Sequence, residues 1–160
     1  MKEQKGEHPF GDTGQMILAV LFLSVWVADS FFLRKTTFLS TYLPLPFRLL
    51  ILILALIMAV WLVRSAHFIV DHEHRPDHVV TTGAFWYVRH PLYLASMLFY
   101  FGLAASTVSL VSLTLLVGIF IFYNYIASYE EVLLEAKFGE SYQKYKTETS
   151  KWVPKLGIKH

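Results

Sequence analysis

Four apolar runs limit what this chain can become. Met16–Leu33, Phe47–Val63, Pro91–Ala105 and Val108–Ala127 carry almost no charge, and no Lys, Arg, Asp or Glu lies anywhere between Arg89 and Glu130. A helix needs about 20 predominantly apolar residues to cross the hydrocarbon core of a bilayer. Backbone in lipid must satisfy its own hydrogen bonds, which favours helices. The totals agree: of 160 residues, 55% are hydrophobic and 16% charged, more apolar than an ordinary soluble domain. A formal net charge of +2 leaves no nucleic-acid footprint, so no nucleic-acid partner is expected. The chain has no cysteine, which excludes disulfides, thiolate nucleophiles and Cys-type zinc sites.

The expected fold is an all-α integral membrane bundle, one domain over 1–160. Its predicted transmembrane helices are 16–33, 47–70, 91–105 and 108–129, with 130–160 as a cytoplasmic C-terminal helical segment. The first run is long for a signal peptide, and no small-x-small cleavage pattern follows it. Asp29, near its end, is expected to pair with Arg34 at the interface. The second helix is expected to continue past Arg64 toward Asp71. Only Ser106-Thr107 separates the third and fourth runs, which predicts a tight hairpin. Small residues Gly102, Ala104, Ala105 and Gly118 would let its helices approach closely. The third run is short for a full crossing, so the hairpin is expected to tilt or sit shallow. After Ser128 the chain turns polar. Glu130–Lys137 reads as an amphipathic helix broken at Phe138-Gly139. A further short helix starts at Glu140, with Glu140 and Lys144 spaced for an ion pair. Most Lys and Arg lie before Pro91 and in the C-terminal segment, so both termini are expected to be cytoplasmic, in the inner membrane if the source is bacterial.

One stretch concentrates chemistry: Thr81-Thr82-Gly83-Ala84-Phe85-Trp86-Tyr87-Val88-Arg89-His90-Pro91-Leu92-Tyr93. Pro91 suits the first turn of a helix because it lacks an N–H and has a fixed φ. Arg89 and His90 then stand at a helix N-terminus, where the N–H groups of Leu92, Tyr93 and Leu94 attract anions. Alone, this pair reads equally well as an interfacial anchor. Three more polar sets share the predicted cytoplasmic side: Arg64, the Asp71–His78 loop and Glu130-Glu131. Polar groups converging beside an apolar region describe a site. Adjacent helical residues diverge by about 100°, so one glutamate is expected to face a pocket and the other headgroups or Lys/Arg. His67, His72, His74 and His78 lack ligand spacing except for His74 and His78, which Pro76 interrupts, and no metal site is expected.

The order Gly83…Arg89-His90-Pro91-Leu92-Tyr93, then Glu130-Glu131…Leu134…Phe138-Gly139…Tyr142…Tyr145…Pro154, resembles the isoprenylcysteine carboxyl methyltransferase family from near Arg64 to Pro154. Phospholipid N-methyltransferases share a looser version, and membrane sterol reductases share Arg-His-Pro-x-Tyr but usually lack the acidic pair. Phe85, Ala95 and Lys151 depart from the family's usual tyrosine, glycine and arginine. The resemblance implies S-adenosylmethionine as methyl donor, in a cytoplasmic pocket closed over by the C-terminal segment. It carries over His90, Tyr93, Glu130 and Glu131 as cofactor-binding residues, with the backbone of Val80, Thr81, Thr82 and Gly83 around the adenine. Arg64 matches an arginine that would hold an acceptor carboxylate in a planar fork.

The resemblance implies a methyltransferase whose partners are the bilayer and a lipophilic or prenylated acceptor. A carboxylate acceptor is preferred, with an amine lipid or a thiol as alternatives. The rivals are a nicotinamide-dependent membrane reductase, disfavoured by two acids beside a pyrophosphate, and a non-catalytic membrane scaffold.

Overall fold

The computed structural model describes residues 11–67 and 78–154. Helix α1 (Gly11–Val27) runs into a single π-helical turn, Ala28–Leu33, and stops at Arg34, whose φ of 50° is left-handed. A 3-10 turn, Phe38–Thr41, leads to α2 (Leu45–His67). The short α3 (Ala84–Tyr87) precedes α4 (Pro91–Thr107), α5 (Leu110–Phe138) and α6 (Glu140–Glu148). Among the described residues the only β pairing is an isolated parallel bridge between Val88 and Ser150.

Among the described residues three stretches are long and apolar enough to cross a membrane: Thr13–Leu33, Leu45–Ala66 and Leu110–Phe138. At about 1.5 Å per residue, the 17 residues of α4 fall short of a hydrocarbon core about 30 Å thick. The architecture is the expected all-α membrane bundle, with a third element shorter than the others. Large apolar side chains such as Ile57, Val60, Val117 and Ile121 lie exposed on the outer faces of α2 and α5, where lipid rather than water is the solvent.

The hairpin turns where the sequence places it. Val108 adopts a left-handed φ of 54°, and the Ser109 side chain caps α5 by accepting from the Ser112 N–H. Tyr93, Met97, Tyr100 and Ala104 of α4 pack with Ile119, Tyr123, Ile126 and Ala127 of α5, and Phe22 of α1 completes this core.

Helices α2 and α4 form the most extensive contact, running antiparallel. Arg48 Nη1 donates to the Ser106 carbonyl at one end, at 2.8 Å, while Ala66 and Ala95 cluster with Ala84 at the other. Midway, a Cβ on Gly102 would sit 3.0 Å from Ala55 Cβ and 3.2 Å from Leu52 Cδ1. Gly102 therefore serves the α2 contact, not the hairpin. Gly118 serves neither, since a Cβ added there would meet nothing within 4 Å.

Asp29 does not pair with the Arg34 side chain. It is buried, and its carboxylate accepts from Thr36 N at 3.1 Å, Thr36 Oγ1 at 2.5 Å and Ser109 Oγ at 2.7 Å. The π turn points Asp29 inward, where it ties α1 to the hairpin. Nearby, Trp26 Nε1 donates to the Leu103 carbonyl at 2.9 Å and Ser30 Oγ to Thr107 Oγ1 at 2.9 Å.

The amphipathic segment from Glu130 continues α5 as its last turns, as expected, because nothing breaks the helical chain until Gly139. That glycine, at φ 56° and ψ −131°, occupies backbone space that residues with a Cβ avoid. Among the described residues Glu140 and Lys144 form no ion pair. Glu135 is the anchor instead, taking Gln143 Nε2 at 2.9 Å and Lys146 Nζ at 3.2 Å. The end of the predicted second span, the charged loop from Asp71 to Asp77 with His72 and His74, and the two chain ends lie outside the described residues.

Candidate functional site

Pro91 occupies the first turn of α4 with His90 as its N-cap. Gly83, at φ 58° and ψ −133°, lets the chain turn sharply into α3. Val88 then extends beside Ser150, and Arg89 N donates to the Ser150 carbonyl at 2.9 Å. This pairing fixes the approach to His90. The distant end of α5 returns to the same end of the bundle and brings Glu130 and Glu131 to it.

The site is a buried cluster around one imidazole. His90 Nε2 lies 3.1 Å from Glu131 Oε1, and Nδ1 lies 3.7 Å from Glu130 Oε2. Both carboxylates thus face His90, one toward each ring nitrogen. Helical divergence was expected to send one of them elsewhere, but the imidazole is broad enough to span the angle between neighbouring side chains. Tyr93 OH donates to Glu130 Oε1 at 2.5 Å, and Arg89 Nε donates to Glu131 Oε1 at 2.9 Å. His90 and Glu131 are 7% and 5% exposed.

Burial holds the His90 pKa below its usual 6.5, outweighing the attraction of Glu131 for the protonated form. Glu131 is the nearer carboxylate, so Nε2 is the ring nitrogen positioned to donate to it, while Nδ1 faces the Glu130 side. Burial also lowers the Lys151 pKa and raises those of the Tyr142 and Tyr145 phenols.

A strap of C-terminal chain closes over this cluster. Arg89 Nη1 donates to the carbonyls of Lys146 at 2.8 Å and Thr149 at 2.7 Å. Tyr145 OH donates to the Phe85 carbonyl at 2.7 Å. Lys151 Nζ reaches the Asn124 carbonyl at 3.1 Å and Ser128 Oγ at 2.7 Å. Trp152 Nε1 donates to Asn124 Oδ1 at 3.1 Å, and its ring centroid lies 5.8 Å from that of His90.

The remaining expected residues are placed differently. Arg64 is exposed on the outer face of α2, in a shallow apolar groove with Leu56, Ile57, Val60, Trp61 and Ser65. It makes no ion pair or hydrogen bond among the described residues. The antiparallel packing of α2 on α4 puts it at the His90 end of the bundle, and Trp61 in the same groove meets the Tyr87 ring edge-on at 5.6 Å. Thr81, Thr82 and Gly83 are exposed and Val80 half-buried. Among the described residues this stretch forms no hydrogen bond with the His90 or glutamate side chains. The anion-binding helix tip is only partly open: Leu94 N already donates to the His90 carbonyl at 3.1 Å, and the Arg89 side chain is committed to Glu131 and the strap.

The pattern of the phospholipid methyltransferase family matches residues 49–141, more than half of the chain. The matched stretch contains Arg64, Val80–Gly83, His90, Tyr93 and both glutamates. No curated protein and no solved structure matches the chain. With its apolar helices and its His90–Glu130–Glu131 cluster, the chain belongs to the phospholipid methyltransferase family of membrane methyltransferases.

Proposed function

We propose that the protein transfers the methyl group of S-adenosylmethionine to a lipophilic acceptor that reaches the site from the bilayer. The observation that carries this reading is the imidazole of His90 set between two carboxylates under a polar strap. The donor set suits the cofactor, whose ammonium and sulfonium are cationic and whose nucleoside is aromatic and polar. Glu130 and Glu131 would hold the positive groups, and Tyr93 keeps Glu130 aimed through its hydroxyl. S-adenosylmethionine, when bound, supplies an already activated methyl group, so the protein's share is alignment and exclusion of water. Arg89 contributes by fixing Glu131 and holding the strap in place.

Arg64 supports an acceptor with an acidic head. A guanidinium at the end of an apolar groove suits the carboxylate of an isoprenylcysteine or isoprenoid-like acid. It suits the phosphate of a phospholipid equally well, and the family match favours that second reading, methylation of a phospholipid amine. An amine must lose a proton before or during transfer, and we assign that role to His90 Nδ1, which faces Glu130. The termini are assigned to the cytoplasmic side. A Val111→Cys variant, labelled only after the membrane is made permeable, tests that orientation.

Calorimetry of the detergent-solubilised protein with S-adenosylhomocysteine and with NADPH tests the cofactor. Binding of the first alone is expected, and binding of NADPH alone would replace this reading with the reductase. Transfer of labelled methyl to isoprenylcysteine or to phosphatidylethanolamine then identifies the acceptor. Arg64→Ala is expected to leave cofactor affinity intact while turnover falls by about tenfold or more. Equal loss of both would move Arg64 into the cofactor site.

A further inference from the structure

Two further aromatic rings adjoin the His90 imidazole that lies between the two carboxylates. The His90 ring stacks near Tyr93 at 5.8 Å and 22°, and Trp152 lies on it at 5.8 Å and 40°. Trp152 is partly buried, packs against Phe120 at 5.7 Å, and has its indole N–H taken by Asn124 Oδ1. This bond leaves the indole with no donor to offer a ligand, only its π face. The neighbouring lysine, Lys151, already lies over the Trp152 ring, 5.8 Å from its centroid, and is held there by the Asn124 carbonyl and Ser128. Aromatic faces beside carboxylates attract compact onium cations, whose charge is spread over carbon substituents and weakly hydrated.

We infer that Trp152 forms the onium-facing wall of the site and distinguishes a positively charged ligand from its neutral counterpart. This rests on the methyltransferase reading. The onium centre is either the sulfonium of the cofactor, lost once the methyl leaves, or a methylated ammonium headgroup. A wall that favours the sulfonium would hold S-adenosylmethionine more tightly than S-adenosylhomocysteine, and would help the spent cofactor depart. Asn124 is a positioning residue that fixes the ring's angle.

The test is equilibrium binding to the full chain in detergent, with no turnover. Trp152→Leu is expected to weaken S-adenosylmethionine about tenfold, while S-adenosylhomocysteine changes less than about twofold. Trp152→Phe, which keeps an aromatic face, is expected to retain most of the discrimination. If the ammonium headgroup is the onium ligand, the same loss appears instead with a short-chain phosphocholine lipid and spares an uncharged lipid of equal chain length. Equal weakening of charged and neutral ligands, or loss with Phe as large as with Leu, overturns the inference and leaves Trp152 a latch for the strap. Fluorinated tryptophan drains charge from the ring face without changing its shape and covers the case in which Trp152→Leu fails to fold. Affinity for the charged ligand alone should then fall with each added fluorine, and a flat response overturns the inference. Wild-type protein that binds neither form of the cofactor removes the methyltransferase reading as well.

Discussion

His90 and Glu131 lie 41 positions apart in the chain and meet Nε2 to Oε1 at 3.1 Å. Nearly the whole α4–α5 hairpin separates them. Their contact closes a loop that leaves one end of the bundle and returns to it, so the site depends on the hairpin's register. Arg89 Nε shares the same carboxylate oxygen at 2.9 Å, and both partners are largely buried.

Removing Glu131 takes away the carboxylate paired with that guanidinium, though its two main-chain acceptors remain. Breaking a buried ion pair from one side costs about 3 kcal/mol, so Glu131→Ala is expected to lose about that much stability in denaturant unfolding in micelles. Arg89→Ala should be costly too. The double variant should cost less than the two singles added, with a coupling above about 1 kcal/mol.

Acid is expected to weaken the fold through His90. Its folded pKa lies below the ordinary 6.5, so the unfolded chain takes up a proton first as pH falls. Stability is full above about pH 6.5 and declines as pH drops through the lower folded value. Thermal unfolding between pH 7.5 and 5 measures the slope, and His90→Gln should flatten it.

Gly102 and Gly118 offer a matched pair. A side chain at Gly102 presses on Ala55 and Leu52, so Gly102→Val is expected to cost about 2 kcal/mol as α2 and α4 part. Gly118→Ala meets open space and should stay within about 0.5 kcal/mol. Melting temperatures of the two variants decide it.

Asp29 is predicted to be structural. Asp29→Ala leaves the Thr36 and Ser109 donors without their acceptor, a loss of about 2 kcal/mol. It ties α1 to the hairpin turn, at the opposite end of the bundle from His90. Methyl transfer per folded molecule should therefore equal that of the wild type, while the amount of folded protein falls.

Much of the bundle was legible because apolar length and purity dictate helices in lipid. The hairpin turn at Ser106–Ser109 and the stop at Gly139 followed from small and flexible residues in plain view. The convergence of His90, Glu130 and Glu131 was also readable, since each stood at the edge of an apolar run, while Tyr93 was read from likeness to a family. The partners of Asp29 were not. They depend on a π turn that rotates the side chain inward, and no spacing in the sequence announces that turn. Arg89 was visible as part of the motif, but its role escaped because two of its partners are backbone carbonyls. Trp152 and Asn124 meet across 28 positions, and neither residue type marks such a contact in advance. Arg64 was read from likeness to a family, and its exposed groove outside the buried cluster could not be foreseen from periodicity.

The Arg89 guanidinium grips main-chain oxygens at positions 146 and 149. Carbonyls are the same whatever residue bears them. This grip does not depend on the side chains at those two places, although the Lys146 ammonium adds its own hold on Glu135 and the Thr149 side chain is buried. Arginine is the fixed half of that fastening.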